Sequence, residues 1–235
     1  MTGVLAIDTA TDACSVAVFV DGEYRERHEV IPRQHNQRLF GMLRELLPSG
    51  DLRAHGIQAI AYGCGPGSFT GLRIAASAVQ GLAYANELPA VAISSLAGQA
   101  QTALRTGLVG VGTTVLSILD ARINEVYGAV YAFDRGLAVL QQGPWACAPA
   151  EIPEIMAESL SVVGNGCHFV SDFPVALRQR LAGDAIELLP TARDLIPLAL
   201  EKLRRGEIQV AQQVQPVYVR EEISWKKLSE QGKKP

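Results

Sequence analysis

The sequence predicts an α/β protein of two duplicated lobes, each a mixed sheet with helices packed on it. Three observations predict this fold class. An order of three strands, helix, strand, helix, strand, helix is written twice along the 235 residues. Asp8 and Asp120 stand at equivalent points, each at a strand end entering a turn. Gly63-Cys-Gly65 and Gly164-Asn-Gly166 likewise follow the equivalent strand in each half.

The first half begins with the apolar run Val4 to Ile7, the polar turn Asp8 to Ser15 and the run Val16 to Val20. Asp21-Gly22 is a hairpin signal, and Glu23 to Val30 alternates weakly, as an edge strand does, until Pro32 closes it. Leu39, Phe40, Met42, Leu43, Leu46 and Leu47 recur at helical spacing over an arc of about 160°. Ile57 to Tyr62 is a strand, followed by a glycine loop and a helix from Leu72 to Asn86. Pro89 starts strand Ala90 to Ile93, and Ser94 or Ser95 caps the next helix.

The second half repeats the order. Val115 to Leu119 ends at Asp120, Val126 to Phe133 follows, and Asp134-Arg-Gly136 turns into Leu137 to Leu140. A helix over Glu151 to Glu158, strand Ser161 to Val163, a glycine loop and a helix over Asp172 to Leu181 come next. Strand Ala185 to Leu188 and a helix from Thr191 to Arg205 complete it. The expected division is an N-terminal lobe 1–105, a C-terminal lobe 106–210 and a tail 211–235. That tail, with Pro216-Val-Tyr-Val-Arg220 extended and Trp225-Lys-Lys227 beyond, folds back on one lobe or docks a partner.

Composition narrows the function classes. The hydrophobic fraction is 48% and the charged fraction 19%, below the usual share of about 25%, which excludes global disorder. A net charge of −3 argues against a strongly basic nucleic-acid binder. Four cysteines without a C-x-x-C pair argue against a disulfide framework or structural zinc. The N-terminus has no basic region before Asp8, and the uncharged stretch around Leu88 to Leu104 is broken and too short for a membrane span. The expectation is a soluble, cytoplasmic chain with no membrane contact.

Gly63-Cys-Gly-Pro-Gly-Ser-Phe-Thr-Gly71 is the strongest local feature. Gly65 and Gly67 let backbone approach a ligand, Ser68 and Thr70 add hydroxyls, and a helix N-terminus favours an anion. It is neither a Walker A loop nor a clean G-x-G-x-x-G, and a tight turn with Thr70 as N-cap accounts for the same residues. Asp8, Thr9 and Thr11 resemble a hairpin phosphate loop in which an aspartate holds hydrated Mg²⁺; local Asx and Ser/Thr turns look the same. The counterpart Asp120 to Glu125 lacks glycine and hydroxyl groups, and Glu125 repels phosphate. No H-E-x-x-H, close histidine pair or G-x-S-x-G is present, so neither a metal site nor a serine hydrolase is expected.

The helix from Leu72 carries Arg73, Ser77, Gln80, Tyr84 and Glu87 within about 80° of arc. The rest of its circumference is apolar or small, which predicts burial on two sides, by this chain or by another.

Leu5 to Val18, Gly65-Pro-Gly-Ser-Phe-Thr-Gly-Leu-Arg-Ile74, Asp120-Ala-Arg with Glu125-Val-Tyr127, and Pro216 to Arg220 with Trp225-Lys-Lys227 resemble the bacterial TsaB (YeaZ) family along nearly the whole chain. The resemblance implies the actin-like ATPase (ribonuclease H-like) fold and a non-catalytic paralogue of TsaD, which transfers threonylcarbamoyl to adenosine 37 of tRNA. It implies that the helices at Leu39–Leu47 and Leu72–Asn86 bundle with TsaD, or with a second copy when TsaD is absent, through Leu39, Leu43, Leu72, Arg73, Ile74, Ala78 and Leu82. TsaE joins, tRNA is met through the complex, ATP or ADP sits at the complex interface, and no cofactor is tightly bound. TsaD-like proteins carry a His-x-x-x-His pair and a second glycine-rich loop that this sequence lacks. The other reading is a nucleotide-binding ATPase using Asp8, Thr11 and the Gly65–Thr70 loop.

Overall fold

A computed structural model describes residues 2–220; the expectation for Trp225 to Lys227 lies outside the described residues. Strands β1 (Gly3–Asp8), β2 (Ala13–Val20), β3 (Glu23–Val30), β4 (Ile57–Gly65) and β5 (Ala90–Ser94) form one sheet in the order β3-β2-β1-β4-β5. β1 runs antiparallel to β2, with Ile7 opposite Val16, and parallel to β4, with Ile7 opposite Tyr62. Strands β6 (Val115–Arg122), β7 (Glu125–Asp134), β8 (Leu137–Cys147) and β9 (Ser161–Val163) form the second sheet in the order β8-β7-β6-β9. The order and strand directions repeat, so the duplicated mixed sheets read from the sequence are present. The fifth strand of the repeat, expected at Ala185 to Leu188, is reduced to one parallel bridge between Val163 and Ile186.

Alternation along the strands sends Leu5, Ile7, Val16, Val18, Ile60 and Tyr62 to one face of the first sheet. Helices α1 (His35–Leu46) and α2 (Phe69–Asn86) cover it with Leu39, Met42, Ala75 and Val79. The opposite face, Val4, Ala6, Ala17 and Ala61, is covered by α5 (Ala192–Arg204) through Leu195, Ile196 and Ala199. Helix α3 (Ser95–Arg105) sends Leu96, Ala100 and Ala103 against Val115, Ala129 and Tyr131 of the second sheet. The middle helices are therefore exchanged: α3 belongs to the first half of the sequence but packs on the second sheet, and α5 does the converse. Arg105 ties the two together with a bidentate pair to buried Asp194, at 2.7 and 3.0 Å.

Two helices expected in the second half are shortened. Over Glu151 to Glu158 there is a single 3-10 turn, Pro149–Glu151, because Pro153 cannot donate the next helical hydrogen bond; Ile152 and Ile155 bury without it. The helix expected over Asp172 to Leu181 is a 3-10 segment Asn165–Asp172 and one turn, α4 (Val175–Arg178). Pro174 holds Phe173 extended and so separates the two. The first half departs less: α2 starts at Phe69 and not Leu72, with Ser68 and not Thr70 as its N-cap.

Three two-residue hairpin turns have positive φ at both central positions: Asp21-Gly22, Ile123-Asn124 and Arg135-Gly136. This is the type I′ geometry, which favours Asn, Asp and Gly. Ile123, at φ 55° and largely exposed, is a β-branched residue in the left-handed region with no burial to offset the strain. Ile123→Asn is expected to raise stability by about 1 kcal/mol, measured as the urea midpoint; an unchanged midpoint would show that the turn is unstrained.

Candidate functional site

Two places were singled out by sequence, the glycine loop with its neighbouring hairpin and the surface of α1 and α2. The structure brings the residues of the first together, but against one another. The turn between β1 and β2 lies on the loop between β4 and α2. The Ser68 amide donates to the Ala10 carbonyl at 2.7 Å, and the Thr9 hydroxyl donates to the Gly71 carbonyl at 2.7 Å. A side chain on Gly67 would strike Ala10, and one on Gly71 would strike the Thr9 carbonyl, so these glycines serve protein contact. Ser68 Oγ accepts from the Gly71 amide at 3.3 Å, and Thr11 Oγ1 from the Ala13 amide at 3.2 Å. Gly65 has φ +123°, and the Val217 carbonyl lies where its side chain would be. Thr70 stays exposed on the first turn of α2.

Asp8 is 1% exposed. Its Oδ1 accepts from the Ala10 amide at 3.0 Å, while Oδ2 has no partner and fills the space beside Gly63. The Ser95 hydroxyl, also buried without a partner, lies at the same glycine. Burial pushes the Asp8 carboxyl up to about 7, against one lowering backbone hydrogen bond. In the second lobe Asp120 accepts from the Arg122 amide at 2.7 Å, and Glu125 pairs with Arg220. These residues do not fit a nucleotide: the loop amides of Ser68 and Gly71 are used, the aspartate cannot reach a hydrated cation, and the opposing turn presents a carboxylate.

The second place differs from expectation in its side chains. Leu39, Leu43, Leu72 and Ala78 are buried in their own lobe; Leu39, Leu43 and Ala78 share one core with strands of the first sheet, Ala211 and Val214, and Leu72 lies beside Gly65. Ala78 is only 6% exposed, so a charge there disturbs the fold before it tests any interface. The second covering of α2 thus comes from this chain. Of the seven residues expected at an interface, Arg73 is exposed and Ile74 and Leu82 are half-buried. Around them Ser77, Gln80 and Gly81 are open to solvent, and nothing approaches the space a side chain on Gly81 would take. Phe40 and Phe69 are each 51% exposed and Tyr84 71%.

Phe69 was missed as a surface anchor because Gly-Ser-Phe-Thr-Gly reads as loop. Starting the helix one turn earlier sets Phe69 four residues before Arg73, whose guanidinium lies 3.9 Å from the ring centroid. On α1, Arg38 bridges Glu29 of β3 and Glu45 at 2.5 and 2.7 Å, and its hydrogen bonds hold both carboxyls below their ordinary range.

The histidines stay apart. His28 lies on β3, His35 opens α1, His55 meets Ser49 at 2.8 Å, and His168 meets the Asn165 carbonyl at 2.8 Å. Among the described residues no three His, Cys, Asp or Glu side chains gather as a metal-binding group.

Comparison with known proteins agrees with the architecture. The family model described as "TsaD: tRNA N6-adenosine threonylcarbamoyltransferase" matches residues 28–223. The tRNA threonylcarbamoyladenosine biosynthesis protein TsaB of Escherichia coli (strain K12) is 38% identical, over 96% of this chain and 97% of its own. The protein of the same name from Haemophilus influenzae is 34% identical, over 95% and 96%. The solved structure of YeaZ from Pseudomonas aeruginosa superposes with a TM-score of 0.82 at 39% identity, covering 93% of this chain and all of that one.

Proposed function

Since the chain belongs to the TsaB (YeaZ) family, and so to tRNA threonylcarbamoyladenosine biosynthesis, we propose that it is the non-catalytic subunit that binds and activates TsaD. The observation that carries this reading is the α1–α2 surface, on which Phe40, Phe69, Tyr84 and Arg73 are exposed together with the small residues Ser77 and Gly81. Aromatic and arginine side chains around a close-approach strip are the composition of an interface centre. In the cleft, the amides of Ser68 and Gly71 and the Thr9 hydroxyl bond to the chain itself. The TsaD-type family model matches because the two are related in fold, and a shared fold does not carry the activity with it.

In this reading Leu39, Leu43, Leu72 and Ala78 support the surface from beneath, while Arg73, Ile74 and Leu82 touch the partner. The same surface pairs two copies when TsaD is absent, as an isologous contact permits. TsaE joins the assembly, tRNA is met through it, and ATP or ADP belongs to the junction of subunits.

The test is tRNA threonylcarbamoylation reconstituted from TsaD, TsaE, threonylcarbamoyl-adenylate and ATP. Product is expected only when this chain is added; equal product without it would overturn the activating role.

A further inference from the structure

The described chain ends by crossing back over its beginning. Gln209 exchanges two backbone hydrogen bonds of 2.9 Å with Ala90 at the edge of the first sheet. The Tyr62 hydroxyl, at the tip of a ring buried in β4, donates to Gln209 Oε1 at 2.9 Å, lies 3.1 Å from the Gln215 carbonyl and accepts from the Gln215 amide at 3.3 Å. The Val217 amide then donates to the Cys64 carbonyl at 2.7 Å, and the Val217 carbonyl fills the space beside Gly65. Tyr218 stacks on Phe69 at 5.4 Å and accepts a hydrogen bond from Arg73 Nε at 3.2 Å. Arg220 completes the crossing in the second lobe, donating to the Ala121 carbonyl at 3.4 Å and pairing with Glu125.

We propose that residues 209–220 are a built-in clasp that fixes one lobe against the other, in the position and in place of a ligand bound between them. The clasp uses one feature from each side of the cleft. The glycine opening at Gly65 receives its backbone, and Glu125, which would repel a phosphate, receives its arginine. Both lobes therefore hold the same segment of the chain. Beside the exposed Asp12–Arg122 pair, at 3.8 Å, which contributes little by itself, the clasp adds a second link between the rims of the two lobes, without any small molecule.

The test is amide hydrogen exchange on the full chain, wild type against Arg220→Ala and Tyr62→Phe, with and without millimolar Mg-ATP. Losing the charge-assisted contact of Arg220 is expected to raise exchange about tenfold both in the 120–125 hairpin and in the 65–71 loop, at opposite ends of the clasp. Tyr62→Phe is expected to raise exchange in the same two places, and Arg220→Lys to restore protection. Mg-ATP is expected to change nothing in the wild type. Exchange that rises only within 215–220 would show a segment that rests on the lobes without holding them. Protection of 65–71 by Mg-ATP in the wild type would show a ligand site there. Either result overturns the clasp.

Discussion

Asp8→Asn is expected to stabilise the protein at pH 8 and to leave it unchanged at pH 4. The carboxyl is buried, has one hydrogen bond on Oδ1 and none on Oδ2, and titrates at about 7, against an ordinary 3.8. A carboxyl raised on folding binds more protons folded than unfolded between those values, so stability falls as pH rises through the interval. Below pH 3.8 the native and unfolded chains both hold the proton and nothing is lost; above 7 the full cost of the buried charge is carried. Each pKa unit is about 1.4 kcal/mol, so the gap amounts to about 4 kcal/mol. Asparagine keeps the acceptor for the Ala10 amide, removes the charge and offers an amide donor toward the partnerless Ser95 hydroxyl. Urea unfolding of both proteins from pH 4 to pH 8 measures the difference. A gain of equal size at both ends of the range would mean that burial of charge is not its source.

Gly81→Arg is expected to weaken TsaD binding about a hundredfold while the isolated chain remains folded. Gly81 is exposed on the middle of α2 with free space around it, and replacing a helical glycine with a good helix former adds about 0.5–1 kcal/mol of stability. In a contact built on close backbone approach, a long charged side chain at this point costs about 3 kcal/mol, or about a hundredfold in Kd. Thermal unfolding of the free chain and a titration against TsaD separate the two effects. Binding at wild-type affinity would place the partner elsewhere on the molecule. Ala78→Glu cannot make this separation, since Ala78 lies inside its own lobe.

The strands were legible because their signals are local. Apolar runs bounded by Asp21-Gly22 and Asp134-Arg-Gly136 located the outer hairpin of each sheet, the polar turns after Asp8 and Asp120 located the inner one, and the twofold recurrence of the pattern located the duplication. The helices of the second half were less legible, because proline at 153 and 174 overrode apolar spacing that Ile152, Ile155 and Leu177 still satisfy by burial. Periodicity identified α2 as apolar on too much of its circumference, but not what covers it. Ala211 and Val214, more than a hundred residues away, pack in the same core as Ala75 and Val79, and no local pattern encodes that contact. The glycine loop was legible as a place where backbones meet. Its partner was not, since a glycine that admits a phosphate and one that admits a carbonyl of the same chain are the same letter.

The exchange of α3 and α5 between sheets has a consequence for how the protein is made. The first sheet is complete once Ser94 has been synthesised, yet the face formed by Val4, Ala6, Ala17 and Ala61 waits for Leu195, Ile196 and Ala199. At about 5–20 residues per second on the ribosome, that greasy face stays bare for roughly 5 to 20 seconds. A nascent chain in this interval is a natural client for holding chaperones, and an early stop anywhere before α5 leaves it permanently sticky. The two halves repeat one pattern, but the first cannot finish folding until α5 of the second has been translated.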